Sequence, residues 1–401
     1  MSIQKITILG DIMCEPRLLK AARTRDGSYC FSGVFQNIKG LLSESDYVIG
    51  NLETPLAGEN AGYVRSLFRF NAPDSFAIAA KEFGINLLLT ANNHCLDRGL
   101  DGLKRTVQVL ENNQIPYAGT FSDPSKRGNT YVRVGDTRVA VIAYTYGTNY
   151  SDNHIILSGS EKGYVNLLRP QTEPYFIYHA PKRTLGNRIL NKTANLFHGD
   201  KRYYARKALG IPVNQAHADD NLVLDTLAPY LDQLLADIDE AKKQADVVLF
   251  CPHMGGQFNA VPGEFSRYIT SAAVERGVDA VIASHPHVVQ EVKWQHGIPC
   301  FYSLGNFSMS PNSVYLVREH FPEYGMLAHL YLEDARIVKT SFSIVRIVEK
   351  DFLTVYPVDV YAGQCSPKEA ARLSEQLRQI IQTVTGKEPD GALIQKEYVL
   401  S

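Results

Sequence analysis

At 401 residues and 45% hydrophobic content, the chain is long enough for one large domain with additions or for two, and too apolar for a disordered protein. Its 41 Lys and Arg against 42 Asp and Glu leave no polybasic field, which argues against nucleic acid or an anionic membrane as a partner. No apolar stretch reaches the roughly 18 residues of a membrane span, and the N-terminal MSIQKITILGD reads as a strand rather than a signal peptide, so a cytoplasmic protein with no membrane span is expected.

In chain order, strand-length apolar runs recur: KITILGD (5–11), DYVIGNLE (46–53), INLLLTANNH (85–94), RVAVIAYTYG (138–147), ADVVLFCPHMGG (245–256), DAVIASHPHV (279–288) and IPCFYSLGNF (298–307). They are continuous rather than alternating, as strands buried on both faces are. Between them, segments such as DSFAIAAKEFG, DGLKRTVQVLENN, NLVLDTLAPYLDQLLADIDEAKKQ and EFSRYITSAAVERG space their apolar residues by three and four and several end in Gly or Asn, which predicts helices. A layered α/β domain follows. It is expected to span residues 1–325, with a tail at 326–401 of alternating strands and an amphipathic helix near 367–384 packed on the same domain.

Residues 148–216 break the rhythm and read as an insertion. Between His179 and Lys207 lie Lys182, Arg183, Arg188, Lys192, Lys201, Arg202, Arg206 and Lys207, with Asp200 as the only acid and Phe197, Tyr203 and Tyr204 interleaved. Such a stretch is either a solvated surface or a local attractor for anions. The six cysteines form no CxxC pair and suit reduced thiols; Cys14, Cys95 and Cys251 lie beside strand ends, as small packing residues or as thiolate ligands.

Chemistry gathers where the strands stop: Asp11; Asn51 and Glu53; Asn92, Asn93 and His94, with Asp97 soon after; His253; His285 and His287; and Asn306. Each alone has a plain structural explanation, since Asp after a strand is ordinarily a turn former and a lone His a satisfied core residue. Together, in a fold whose strand ends converge at one edge, they supply the carboxylate, imidazole and amide mixture that divalent ions need. His285-Pro286-His287 would present both rings on one side if extended. Asn51, Asn92, Asn306, Lys201, Arg202, Arg206 and Lys207 are candidate substrate contacts, and Tyr144 and Tyr146 are either pocket lining or core.

The stretches GDIM (10–13), NLETPL (51–56), ANNHCLDRGLDGL (91–103), PHMGGQ (252–257), SHPHVVQ (284–290) and FYSLGNF (301–307) resemble the bacterial capsule-biosynthesis family of the CapA, or poly-γ-glutamate synthesis, type, a branch of the calcineurin-like metallophosphoesterases. The resemblance runs to about residue 310. It implies a layered αββα sandwich with mixed sheets, and one or two divalent ions, Mn, Fe or Zn. Asp11 and His287 would hold the first metal, Glu53 would bridge, and Asn93, His253 and His285 would hold the second. His94 would act on the substrate with Asp97 orienting it. The reaction implied is phosphoester hydrolysis or transfer in capsule or poly-γ-glutamate synthesis, on an anionic polymer or a phosphorylated substrate, with other capsule-synthesis subunits as partners. The alternatives are a non-catalytic assembly or polymer-binding subunit, and a general phosphomonoesterase or phosphodiesterase. Two positions depart from the phosphoesterase pattern: Met13 stands where a metal-binding His is usual, and Glu53 where the bridge is usually Asp.

Overall fold

In the computed structural model of the chain, which describes residues 3–63, 69–172, 185–194, 196, 199–209, 219, 220, 222–313, 316 and 319–400, the apolar runs form two mixed sheets. The strands are β1 (Gln4–Ile12), β2 (Tyr47–Leu52), β3 (Leu87–Leu89), β4 (Tyr117–Ala118), β5 (Thr130–Val134), β6 (Thr137–Thr145), β7 (Val247–His253), β8 (Ala280–Ile282), β9 (Val292–Gln295), β10 (Ile298–Phe301), β11 (Tyr324–Glu333), β12 (Arg336–Glu349), β13 (Leu353–Pro357) and β14 (Tyr398–Val399). One sheet runs β13-β12-β11-β1-β2-β3-β4 with β14 beside β12; the other runs β5-β6-β7-β8-β10-β9. Parallel pairing links β1 through β4 and β6 through β7 and β8 to β10, while the remaining partners are antiparallel.

Burial on both faces explains the continuous apolar runs. Ile6, Ile8, Ile49, Leu87 and Leu89 join Val139, Val141 and Leu249 between the sheets, whereas Leu9, Ile12, Val48 and Leu88 point to the outer layer of the first sheet. There they meet helices Pro16–Ala22, Ser75–Glu82 and Gly99–Asn112 through Leu18, Phe76 and Leu110. Ala140, Ile142, Phe250 and Val281 face helices Leu224–Gln244 and Glu264–Arg276 on the far side. The order of layers is thus helix, sheet, sheet, helix, as expected. Helix Pro367–Thr385, opened by a Ser366–Glu369 capping box and closed by left-handed Gly386, packs Leu373, Leu377, Ile380 and Val384 into the inter-sheet cluster.

Several strands stop earlier than their apolar runs. INLLLTANNH yields only Leu87–Leu89 and DAVIASHPHV only Ala280–Ile282, because the chain leaves the ladder as soon as the polar residues begin. The tail at 326–401 is woven into the first sheet, β11 lying directly against β1.

Gly10 shows how tightly the site edge is assembled. Its strand passes the Ser303–Asn306 segment so closely that a Cβ would overlap the carbonyl oxygen of Gly305, which accepts from the Asp11 N–H at 3.0 Å. Gly10→Ala is therefore expected to cost about 1–3 kcal/mol by overpacking and to weaken metal binding by displacing Asp11. Thermal melting and metal titration of the variant check both effects.

Candidate metal centre

Parallel register places the ligands side by side. Asp11 is paired with Asn51 across β1 and β2, Asp11 bridges to Asn306, and His253 at the end of β7 bridges to Ser284, one residue before His285. Asp11, Glu53, Asn93, His253, His285 and His287 are all buried within this edge.

Two groups of potential ligand atoms emerge: Asp11 with Glu53 and His287, and Glu53 with His253 and His285, each with its atoms within 4.8 Å of one another. Glu53 belongs to both. Its Oε1 lies 3.3 Å from His253 Nε2, 3.7 Å from His287 Nε2 and 4.0 Å from His94 Nε2. Asn93 Oδ1 is 2.8 Å from His253 Nε2, which places the amide oxygen in the second group. Although Glu53 is wholly buried, neither of its carboxylate oxygens has a hydrogen-bond partner. A buried carboxylate without hydrogen bonds is expensive, and bound cations would satisfy it. The donor set fits divalent ions.

The surroundings prepare the imidazoles for different states. Burial, reinforced by the charges of His253 and His287, holds His285 well below the ordinary histidine range, leaving neutral nitrogen for a metal. Burial would also lower His287, but the Glu53 charge and the Asp11 hydrogen bond and charge outweigh it and raise the ring to about 9. Burial pushes Asp11 up, yet the His287 hydrogen bond and the His287 and His253 charges bring it below the usual carboxylate range. Without metal, His287 thus keeps a proton that a ligand must surrender. Metal uptake is expected to release about one proton from this ring at pH 7, with affinity rising as pH rises towards 9 and levelling above it. Calorimetric titration in buffers of differing ionisation enthalpy measures that count.

Both His285 and His287 reach the site from left-handed backbone, at φ of 108° and 58°, so the His-Pro-His segment is a turn and not the extended arrangement expected. Such conformations cost about 1–3 kcal/mol each. Gly255, at φ of 127°, lets the His253 loop pass Pro286, whose Cγ would lie 2.8 Å from any Cβ there.

His94 stands apart from the two groups. Its Nδ1 lies 2.7 Å from Asp97 Oδ2, which also accepts from the Phe70 N–H at 2.6 Å, and the Phe70 ring stands edge-on to the imidazole with centroids 4.6 Å apart. Burial lowers the His94 pKa, while the Asp97 charge and hydrogen bond and the Glu53 charge more than reverse it, so the ring sits above its ordinary value. Asn149 was not singled out by the sequence. Its Nδ2 lies 3.2 Å from His94 Nδ1, and its Oδ1 accepts from Asn93 Nδ2 at 3.0 Å. A left-handed Asn after a strand is the signal that could have marked it.

The asparagines expected at the substrate are engaged with the protein. Asn51 Nδ2 donates to Asp11 Oδ1 at 2.7 Å and lies 3.2 Å from His253 Nδ1. Asn92 donates to Leu52 O and accepts from the His94 N–H, and Asn306 accepts near His287 Nδ1 and donates to the carbonyls of His287 and Pro322. Tyr146 packs against His285 with centroids 4.4 Å apart, and buried Arg169 lies over the Tyr146 ring; Tyr144 turns to Asp237 and Arg127. Met13 is buried in the outer apolar cluster, its N–H bonded to Ser308 Oγ at 2.8 Å. The buried thiols of Cys95 and Cys251 are pushed up to about 12, which opposes thiolate ligation, and all six cysteines are free.

Of the basic insertion, helices Leu185–Ala194 and Gly199–Ala208 are described. Lys182 and Arg183 lie outside the described residues, as do the side chains of Arg188, Lys201 and Arg202. Arg206 is half-buried, and Lys207 pairs with Glu319 at 2.5 Å, an acid from outside the insertion. No helix among the described residues is long and apolar enough to cross a membrane.

Residues 5–310 match the family described as bacterial capsule synthesis protein PGA_cap. The chain belongs to this capsule synthesis family. It is 24% identical over 304 residues to the PGA biosynthesis protein CapA of Bacillus subtilis strain 168, covering 75% of this chain and 62% of that protein. To the capsule biosynthesis protein CapA of Bacillus anthracis it is 25% identical over 307 residues, covering 75% and 59%. The matched part thus spans about three-fifths of those capsule synthesis relatives. Among solved structures, TT1561 of Thermus thermophilus aligns with TM-score 0.33 and 10% identity over 81% of this chain and 94% of that one. Every motif of this PGA_cap chain that ends on a metal-ligand candidate lies within the matched span.

Proposed function

We propose that this capsule synthesis protein is a metal-dependent enzyme that hydrolyses or transfers a phosphoester during formation of an anionic capsule polymer, poly-γ-glutamate in the family context. The observation that carries the reading is Glu53: a wholly buried carboxylate with two unpartnered oxygens, shared between two ligand groups. Divalent ions bound there would supply Lewis acidity and an activated water. The chain's own residues do the rest. Asn51 holds Asp11 and His253 in place, and Asn306 holds His287. With Nδ1 committed to Asp97, the His94 Nε2 faces the Glu53 side, positioned to hold a proton for a leaving oxygen or to donate to a phosphoryl oxygen.

One observation favours a non-catalytic polymer-binding or assembly role instead. Met13 is absorbed into the apolar cluster, so the first group rests on Asp11, Glu53 and His287 without a further imidazole. Metal analysis of the purified protein, combined with turnover of a generic phosphodiester, separates the two. Two ions per chain with metal-dependent turnover support the enzyme; one ion or none, without turnover at any metal concentration, supports the binding subunit.

A further inference from the structure

Asn93 and His94 are as deeply buried as the rest of the metal centre, whereas Asn149, which touches both, is half-buried. It stands where the centre meets solvent, the side from which a ligand reaches His94. The orientation of its amide follows from its neighbours. Asn93 Oδ1 lies 2.8 Å from His253 Nε2, on the side of the second ligand group, so Asn93 turns its Nδ2 the other way and donates to Asn149 Oδ1 at 3.0 Å. The Asn149 oxygen is spent on that bond, and its Nδ2, with two hydrogens to give, is directed at His94.

That nitrogen finds no acceptor on the ring. It lies 3.2 Å from His94 Nδ1 and 3.5 Å from Nε2, and such similar distances to both nitrogens put it over the face of the imidazole, away from the in-plane lone pairs. Nδ1 is in any case committed to Asp97 Oδ2 at 2.7 Å. Among the described residues no other group lies within hydrogen-bond reach of Asn149 Nδ2. Its backbone is fixed nevertheless: at φ 51° and ψ 42° it is left-handed, and its carbonyl accepts from the N–H groups of Asp152 and Asn153 at 2.9 and 3.0 Å. A donor held in place before any ligand arrives, beside an imidazole whose Nε2 is 4.0 Å from Glu53 Oε1, suits an oxygen that carries negative charge at the metal centre.

We propose that Asn149 is a substrate-binding residue of this centre, whose Nδ2 donates to a non-bridging oxygen of a phosphate group lying beside His94 while its Oδ1 keeps Asn93 turned towards the second ligand group. The choice of a phosphate rests on the phosphoester reading given above. The two ends of one amide thus have separate tasks, and substitutions can part them. Asn149→Asp keeps an oxygen for Asn93 and replaces the donor by a negative charge. Asn149→Gly suits the left-handed backbone and removes both ends.

The test is calorimetric titration of the full chain, saturated with Mn²⁺, with inorganic phosphate. Saturable binding is expected in the parent, weakened about tenfold or more in each variant, the loss that follows removal of a hydrogen bond to a charged group. Bound Mn²⁺ should be unchanged in Asn149→Asp. Three results would overturn the proposal: no saturable binding to the parent at millimolar phosphate, equal phosphate affinity in the parent and Asn149→Asp, or loss of Mn²⁺ from Asn149→Asp, which would leave Asn149 only a support for Asn93. Turnover of a phosphodiester is read separately. If the parent has none but binds phosphate in an Asn149-dependent way, the enzymatic reading falls and this one stands; turnover with equal phosphate affinity in parent and Asn149→Asp does the reverse.

Discussion

Glu53→Gln is expected to reduce bound divalent metal from stoichiometric to near zero while leaving the fold intact. The carboxylate stands in both ligand groups and makes no hydrogen bond that the fold depends on, so the substitution removes metal affinity and little packing. The loss should exceed the roughly 10–100-fold typical of losing a residue that merely holds a ligand in place. Asn51→Ala provides the internal comparison, because Asn51 bonds Asp11 and approaches His253 but belongs to neither group. Its loss should fall inside that range. Elemental analysis after dialysis, alongside far-ultraviolet circular dichroism, reads both variants. Full metal retention in Glu53→Gln would show that the two groups do not share a bridge.

Replacement of His94 by Ala should leave the metal in place and lower turnover by roughly two to four orders of magnitude, the span of general acid and base assistance. Asp97→Asn should be milder in rate and more informative in pH. Asp97 is the first of the groups that raise the His94 pKa against burial, so removing its charge lowers that pKa. If protonated His94 is the working form, activity that falls as pH rises will fall at lower pH in Asp97→Asn than in the parent. A pH profile of kcat/KM for both proteins decides it. An unshifted alkaline limb would mean that His94 does not carry the proton, and unchanged turnover in His94→Ala would reduce the ring to a packing partner of Phe70.

Much of this was legible in the sequence because each strand announces its own end. The switch from apolar run to Asp11, Glu53, Asn93, His253 and His285 is local, and parallel pairing turns local ends into one edge. What could not be read has longer-range causes. The partners of Asn51, Asn92 and Asn306 are set by contacts up to 202 residues away in sequence, as with Asn51 and His253. Asn149 contributes from the start of the insertion, where no periodic pattern points to the site. His285 and His287 looked extended because an apolar strand precedes them, yet their left-handed backbone does the aiming. Short edge strands such as β4 and β9 carry no pattern long enough to register.

The position of β1 has a consequence for how the protein is made. Asp11 sits on a strand flanked on one side by β2, synthesised soon afterwards, and on the other by β11, which holds residues 324–333. While the ribosome is still translating, β1 is an edge strand, and its Thr7 lacks the His329 ring that later meets its hydroxyl at 2.8 Å. His253, His285 and His287 are also made long after β1, so the pairing of β1 with β11 must close a long loop, which chain entropy makes slow. A nascent chain released before β11 would carry every candidate ligand of the two groups and lack the strand that braces the first of them.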